Sequence, residues 1–242
     1  FNQVIQIFSE RGGRQNDFFH TPASIKALYK AIIGKSTISI IDPACGSGDL
    51  ISEFASAENT LLGYDTQSES IAIAKLRFAF SSNVELHRGD SLESLTGKKT
   101  SDAVIVNPPF NMRFNRDQIA SLDFLKYGMP PTSNGNFLWL QLAENLMANN
   151  GKGLVLLSNS SLSSAGTEGS IRIKMIEAGL VEAIISLPPN LFSYTNIGST
   201  LWVLSKPSQE CRDILMIDVT KESEALAYRT VKIPSSIIDA IG

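Results

Sequence analysis

The sequence predicts an α/β fold: a mainly parallel, seven-stranded sheet covered by helices on both faces, with one late strand running antiparallel. Three observations carry this expectation. Short β-branched runs alternate with segments of helical periodicity along most of the chain. The runs are apolar throughout, as strands buried on both faces must be. Four of them lead into a polar residue (Asp42, Asp65, Asp90 and Asn107), at the strand ends where open α/β sheets bind ligands.

Taken in order, residues 1–20 form an N-terminal extension, with an apolar stretch at 4–8 and a joint at Arg11-Gly12-Gly13-Arg14. Thr21 is placed to cap a helix that starts at Pro22. Ile25, Leu28, Tyr29 and Ile32 recur on one face of that helix, and Gly34 ends it. Strands follow at 37–41, 60–64, 84–87, 103–106, 153–157, 181–187 and 199–205, with an eighth candidate at 214–217. Helices are expected at 50–57, 68–81, 137–147 and 171–178. In the second of these, Ile71, Ala72, Lys75, Leu76 and Ala79 are spaced for one buried face. Residues 149–153 read as a turn. No helix separates the sixth and seventh strands, so the seventh is expected to fold back antiparallel on the sixth. Residues 111–136 and 158–170 are long polar connections of the kind that is functional or mobile in a compact domain.

Composition narrows the function. The 242 residues suffice for a full core, and residues 21–242 are expected to form one domain. With 21 basic against 24 acidic residues, the chain is no stand-alone nucleic-acid clamp. Cys45 and Cys211 lack metal-ligand or CxxC spacing, and His20 and His87 are the only histidines, so no metal centre is expected. No apolar run approaches the ~18 residues of a membrane span, and no targeting segment is visible, so a cytoplasmic protein is expected. The chain opens on Phe-Asn-Gln and is expected to be a piece of a longer one.

The strand ends carry the chemistry. Asp42-Pro43-Ala44-Cys45-Gly46-Ser47-Gly48 joins an acid to a glycine turn that lets backbone approach a ligand. It lacks the lysine of a phosphate loop. Asp42 suits a cationic amine, Asp65 a ribose diol, and Asp90 an exocyclic amino group. Each acid has a competing reading as a helix cap or turn residue. In Asn107-Pro108-Pro109-Phe110, two prolines remove two N–H donors and leave carbonyls exposed. The Asn107 side-chain oxygen and the Pro108 carbonyl can accept from one NH₂ group, while Phe110 offers a stacking face.

These motifs resemble the N6-adenine-specific DNA methyltransferases, and among them the modification subunit of type I restriction-modification systems. The resemblance runs from about Phe18 to Ser205. It implies a Rossmann-like fold that uses S-adenosylmethionine as cofactor. Phe19, His20 and Thr21 would lie at the methionine part, Asp42, Pro43, Ala44, Cys45, Gly46, Ser47 and Gly48 in the cofactor loop, Asp65 at the ribose and Asp90 at the adenine. Asn107, Pro108, Pro109 and Phe110 would be catalytic. His20 stands where an aromatic is common, and Leu157-Ser158-Asn159-Ser160-Ser161 departs from the usual Leu-Pro-Asn-Gly.

The implied reaction is methyl transfer to N6 of an adenine flipped out of double-stranded DNA. Lys98, Lys99, Arg113, Arg116 and Lys126 are candidate phosphate contacts, and residues 111–136 a candidate cover for the flipped base. Tyr127 and Trp139 are further aromatics, for which ordinary packing is the simpler account. Expected partners are a specificity subunit and a restriction subunit. The four-residue motif also suits RNA adenine or protein glutamine, and a non-catalytic assembly subunit could keep the same fold.

Overall fold

The computed structural model describes residues 20–34, 38–95, 100–192, 196–206, 213–226 and 230–242. Its centre is an eight-stranded sheet in the order β3-β2-β1-β4-β5-β7-β6-β8. The strands are β1 (Ser39–Asp42), β2 (Thr60–Asp65), β3 (Val84–Arg88), β4 (Ser101–Val106), β5 (Met147–Ser158), β6 (Val181–Ser186), β7 (Ser199–Ser205) and β8 (Leu215–Asp218). All neighbours are parallel except that β7 runs antiparallel to both β5 and β6. The seven expected strands are present, the seventh folds back on the sixth as its short connection required, and the 214–217 run supplies the eighth. A separate pair, β9 (Glu224–Ala225) and β10 (Val231–Lys232), lies near the C-terminus.

Burial explains the order. The central strands are apolar at most positions that meet a helix layer, and their side chains alternate between two cores. Ile41, Val104, Val106, Val155, Leu157, Trp202 and Leu204 face one layer. Ile40, Ala103, Ile105, Leu154, Leu156, Leu201 and Val203 face the other. The edges carry the partly polar strands: β3 and β8 are largely exposed, the usual fate of strands that cannot fill a core. Helices α1 (Ala23–Ile33) and α8 (Ser235–Ile241) cover the second face, and α5 (Asn136–Leu146) and α7 (Gly166–Glu177) cover the first.

Several expectations need correction. Thr21 does not cap α1. Pro22 holds the cap position without a side-chain bond, because the Thr21 hydroxyl is engaged elsewhere. Gly34 does end the helix, at φ +81°, with its N–H on the Lys30 carbonyl. Residues 50–57 form only a 3₁₀ turn, Ile51–Phe54. The helix expected at 68–81 is α2 (Ser68–Arg77), and its buried face is Ile71 and Ala74, continued by Phe78; Leu76 is 57% exposed. The 149–153 turn lies inside β5, where the register jumps from Ser101↔Met147 to Ala103↔Lys152.

The two long connections are more structured than their polarity suggested. Residues 158–170 hold the short α6 (Ser160–Ser163) and the start of α7. Residues 111–136 hold α4 (Arg116–Ala120), whose Asn115–Gln118 capping box the sequence displays, and Ile119, Leu122 and Phe124 are buried in the first core. After β3, α3 (Ser91–Ser94) completes the set.

Candidate active site

β1, β2 and β4 end side by side, so the residues after them share one rim of the sheet. After β1 the chain turns sharply. Gly46 and Gly48 take φ of +54° and +75°, the left-handed region where side chains are disfavoured. Gly48 also lies close beneath α2, where an added Cβ would meet Phe78 Cε2 at 3.0 Å. The loop leans on β2, with Cys45 N–H donating to the Tyr64 carbonyl (2.9 Å) and Gly46 N–H to Asp65 Oδ2 (3.0 Å). Gly63 makes this possible, since a Cβ there would come within 2.9 Å of Cys45 Sγ and 2.8 Å of Leu86 Cδ2.

The turn borders a cleft that is open to solvent. Its lining brings together Thr21, Asp42, the loop from Ala44 to Ser47, Asp65, Asn107 and Pro109. Pro43, Gly48, Pro108, Phe110 and His20 are not among the residues that line it. Asp90 is also outside the lining, and its Oδ1 caps α3 by accepting from Leu92 N–H at 2.9 Å. Phe18, Phe19, Lys98 and Lys99 lie outside the described residues.

Asp42 is 1% exposed. Burial pushes its carboxyl up to about 8, the nearby Asp65 charge adds to this, and the Ala44 N–H that it accepts at 3.0 Å works against it. It therefore holds its proton far more readily than a free carboxyl, and a cation beside it would favour release. Asp65 accepts from two backbone N–H groups, Gly46 through Oδ2 and Gln67 through Oδ1 (2.8 Å). Both bonds fix its orientation and leave lone pairs for a diol. No lysine or arginine is among the described residues lining the cleft. Such a surface accepts hydrogen bonds and cations and repels phosphate.

Asn107 projects from the end of β4. Its Nδ2 donates to Thr21 Oγ1 at 3.0 Å, so Oδ1 is the end left to accept from a ligand. Tyr29 on α1 secures this strand end from below, its hydroxyl donating to the Val106 carbonyl at 2.9 Å. Phe110 is half-buried and packs edge-on against Phe192, centroids 5.9 Å apart. The chain then reverses through Asn111 at φ +55°, whose Oδ1 accepts from Ser158 Oγ at 3.2 Å.

Asp49 is a residue of the cleft that sequence reasoning missed. It is 5% exposed. Burial would raise its carboxyl, but the His20 hydrogen bond and the charges of His20, Lys26 and Arg77 outweigh it and hold Asp49 below the ordinary range. His20 Nδ1 lies at 2.9 Å, Lys26 Nζ at 3.2 Å and Arg77 at 3.9 Å. The signal was its place directly after Gly48; its partners lie too far along the chain to be paired by spacing.

Other candidates settle differently. Trp139 is buried and packs edge-on against Phe114. Tyr127 is tied to α5 through its backbone N–H, which donates to Gln141 Oε1 at 3.0 Å. Lys126 bonds both oxygens of buried Glu144, at 3.0 and 3.1 Å. Residues 124–128 are therefore pinned to α5, and Ile119 and Leu122 anchor the stretch before them in the first core. Arg113 and Arg116 are exposed.

Comparison with known proteins follows the same lines. The sequence pattern of the N-6 DNA methylase family matches residues 1–238. The methylase subunit of the type I restriction enzyme HindI from Haemophilus influenzae is 29% identical over 236 residues, which cover 90% of this chain and 53% of that one. The MjaIX methylase subunit from Methanocaldococcus jannaschii is 30% identical over 220 residues, 82% of this chain and 39% of that one. The chain spans about half or less of the length of these relatives. The type I restriction-modification methyltransferase subunit from Streptococcus thermophilus superposes with a TM-score of 0.83 at 23% identity, covering 93% of this chain and 52% of that one. A Listeria monocytogenes chain assigned to the class I S-adenosylmethionine-dependent methyltransferases gives 0.72 at 20% identity, covering 90% and 71%. The two structural likenesses establish the fold as that of this class of methyltransferase.

Proposed function

Because the chain belongs to the N-6 DNA methylase family, we propose that it transfers a methyl group from S-adenosylmethionine to N6 of adenine in DNA, as the catalytic part of a type I restriction-modification methyltransferase. The observation that carries this reading is the position of Asn107, which opens on the same cleft as Asp42 and Asp65 with its donor end already occupied. The cleft's donor set fits the cofactor: a buried acid for the amino group, a second acid for the ribose, and no cation that would suit a pyrophosphate.

When bound, S-adenosylmethionine supplies a methyl group on a sulfonium, already a good leaving group. The protein's task lies at the acceptor. Asn107 Oδ1 and the Pro108 carbonyl hold the two N6 hydrogens and favour a pyramidal nitrogen whose lone pair is aimed into the cleft. Orientation and transition-state electrostatics are then the main terms. Phe110 stacks on the base once it has left the duplex. Once the nitrogen carries the methyl group it is positively charged and its proton acidic, so the proton passes to water without a strong base. His20 would lie at the methionine end, and Asp90, just past the end of the neighbouring strand β3, would lie on the adenine side. Site selection belongs to a specificity subunit, with a restriction subunit in the full assembly, and the protein works in the cytoplasm. No helix among the described residues is long and apolar enough to cross a membrane.

The test supplies labelled S-adenosylmethionine with duplex DNA, single-stranded DNA, RNA and a glutamine-bearing protein, with and without partner subunits. Label is expected in adenine of DNA; label confined to RNA or protein would overturn the substrate. Asn107→Ala is expected to remove most turnover while S-adenosylhomocysteine binds within a few-fold of wild type. Phe110→Ala should weaken base stacking by roughly 1–3 kcal/mol, and Phe110→Trp far less.

A further inference from the structure

An amide side chain has two ends of nearly equal shape and opposite hydrogen-bonding character. A site that needs Asn107 Oδ1 on the target amine must therefore exclude the flipped amide, which would present two donors to another donor. The only group bonded to the Asn107 amide among the described residues is Thr21 Oγ1, which accepts from Nδ2 at 3.0 Å across 86 positions of sequence. Thr21 is 3% exposed, and it is held from behind: its backbone N–H donates to Asp49 Oδ2 at 3.2 Å. Asp49 in turn is fixed by His20 and Lys26, with Arg77 close by. The hydroxyl thus sits at a set place relative to both the cofactor loop and the end of β4.

We infer that Thr21, braced by Asp49, is a positioning residue that selects which end of the Asn107 amide faces the target amine. This rests on Asn107 as the acceptor, as proposed above. It differs from the cofactor-contact role that the family resemblance implies for Thr21, since the hydroxyl's visible partner is the catalytic amide.

The deciding variants are Thr21→Val, which keeps the shape and removes the hydroxyl, and Thr21→Ser, which keeps the hydroxyl. With the protein at its full natural length, the single-turnover rate of T21V is expected to fall about 10- to 100-fold. S-adenosylhomocysteine affinity and KM for DNA should stay within about threefold of wild type, and T21S should regain most of the rate. In an Asn107→Ala background, T21V should cost nothing further. The side-chain NH₂ signals of Asn107, identified as those missing in N107A, should shift in T21V and return in T21S. A normal T21V rate, a loss of cofactor affinity in step with the rate, or additive effects in the cycle would each overturn the inference. If wild type methylates RNA or protein and not DNA, the proposed substrate falls, and the same cycle run on the true acceptor still decides the role of Thr21. If no acceptor is methylated, unmoved Asn107 NH₂ signals in T21V overturn it.

Discussion

At the scale of single residues, Asp42 makes the sharpest prediction. Its folded-state value of about 8 lies above the 3.8 of a free carboxyl. Between those two values the folded chain holds a proton that the unfolded chain has released, so without ligand its contribution to stability declines as pH rises through that window. A cationic amine beside Asp42 reverses the preference and expels the proton. Binding of S-adenosylhomocysteine near pH 7 is expected to release protons, and affinity should rise from pH 6 to pH 8. Calorimetry in buffers of different ionisation enthalpy measures this directly, and Asp42→Asn should abolish the dependence. The glycines give a second, paired test. Gly46→Ala meets no atom within 4 Å and should cost only the ~1 kcal/mol of a left-handed backbone. Gly48→Ala adds contacts at 3.0 Å to Phe78 and 3.3 Å to Ala74, so denaturant melts should show roughly 2–4 kcal/mol. Asp42, Asp65 and Asn107 were legible in the sequence because each ends a strand, and Asp42 and Asn107 are followed by prolines that constrain the turn. Asp49 was not, because its meaning depends on His20, Lys26 and Arg77, which only the fold brings to it.

At the scale of elements, strands read well and helices less so. The seventh strand matches its expected range to the residue, since an uninterrupted apolar run has few alternatives. The face of α2 was misassigned because Lys75 keeps helical spacing with Ile71 and Leu76 with Ala72, whereas the burial follows Ile71 and Ala74 into Phe78, past the helix end. The segment between β4 and α5 looked like a free cover because its polar residues outnumber its apolar ones. In the structure Gln141, fully buried, accepts from Tyr127 N–H and donates to the Gly128 carbonyl at 2.9 Å, and so clamps the middle of that segment. Gln141→Leu should strand both backbone groups at a cost of about 2–4 kcal/mol. Hydrogen exchange at 124–128 should quicken well beyond that of β4, and a clamp that matters little would leave the exchange unchanged.

At the scale of the whole molecule, the sequence implied the layers but not the order of the sheet. That β7 lies between β5 and β6 depends on contacts distant in sequence, such as Trp202 packing on Phe137 of α5 with its Nε1 donating to Ser161 Oγ of α6 at 3.0 Å. A chain ended at residue 198 should therefore fail to unfold cooperatively, because it loses an interior strand and not an edge; a normal melting transition for that truncation would contradict the order described. The same placement bears on synthesis. Strands β1 to β4, which carry Asp42, Asp65 and Asn107, find one another as soon as residue 106 has left the ribosome. β5 can add to β4, but its other edge and the whole of β6 must wait for a strand not yet made. For a time on the order of seconds at ordinary elongation rates, the nascent chain would hold an assembled half bearing Asp42, Asp65 and Asn107 beside a gap flanked by Leu154, Leu156 and Ile185. That interval is when chaperones would have most to shield.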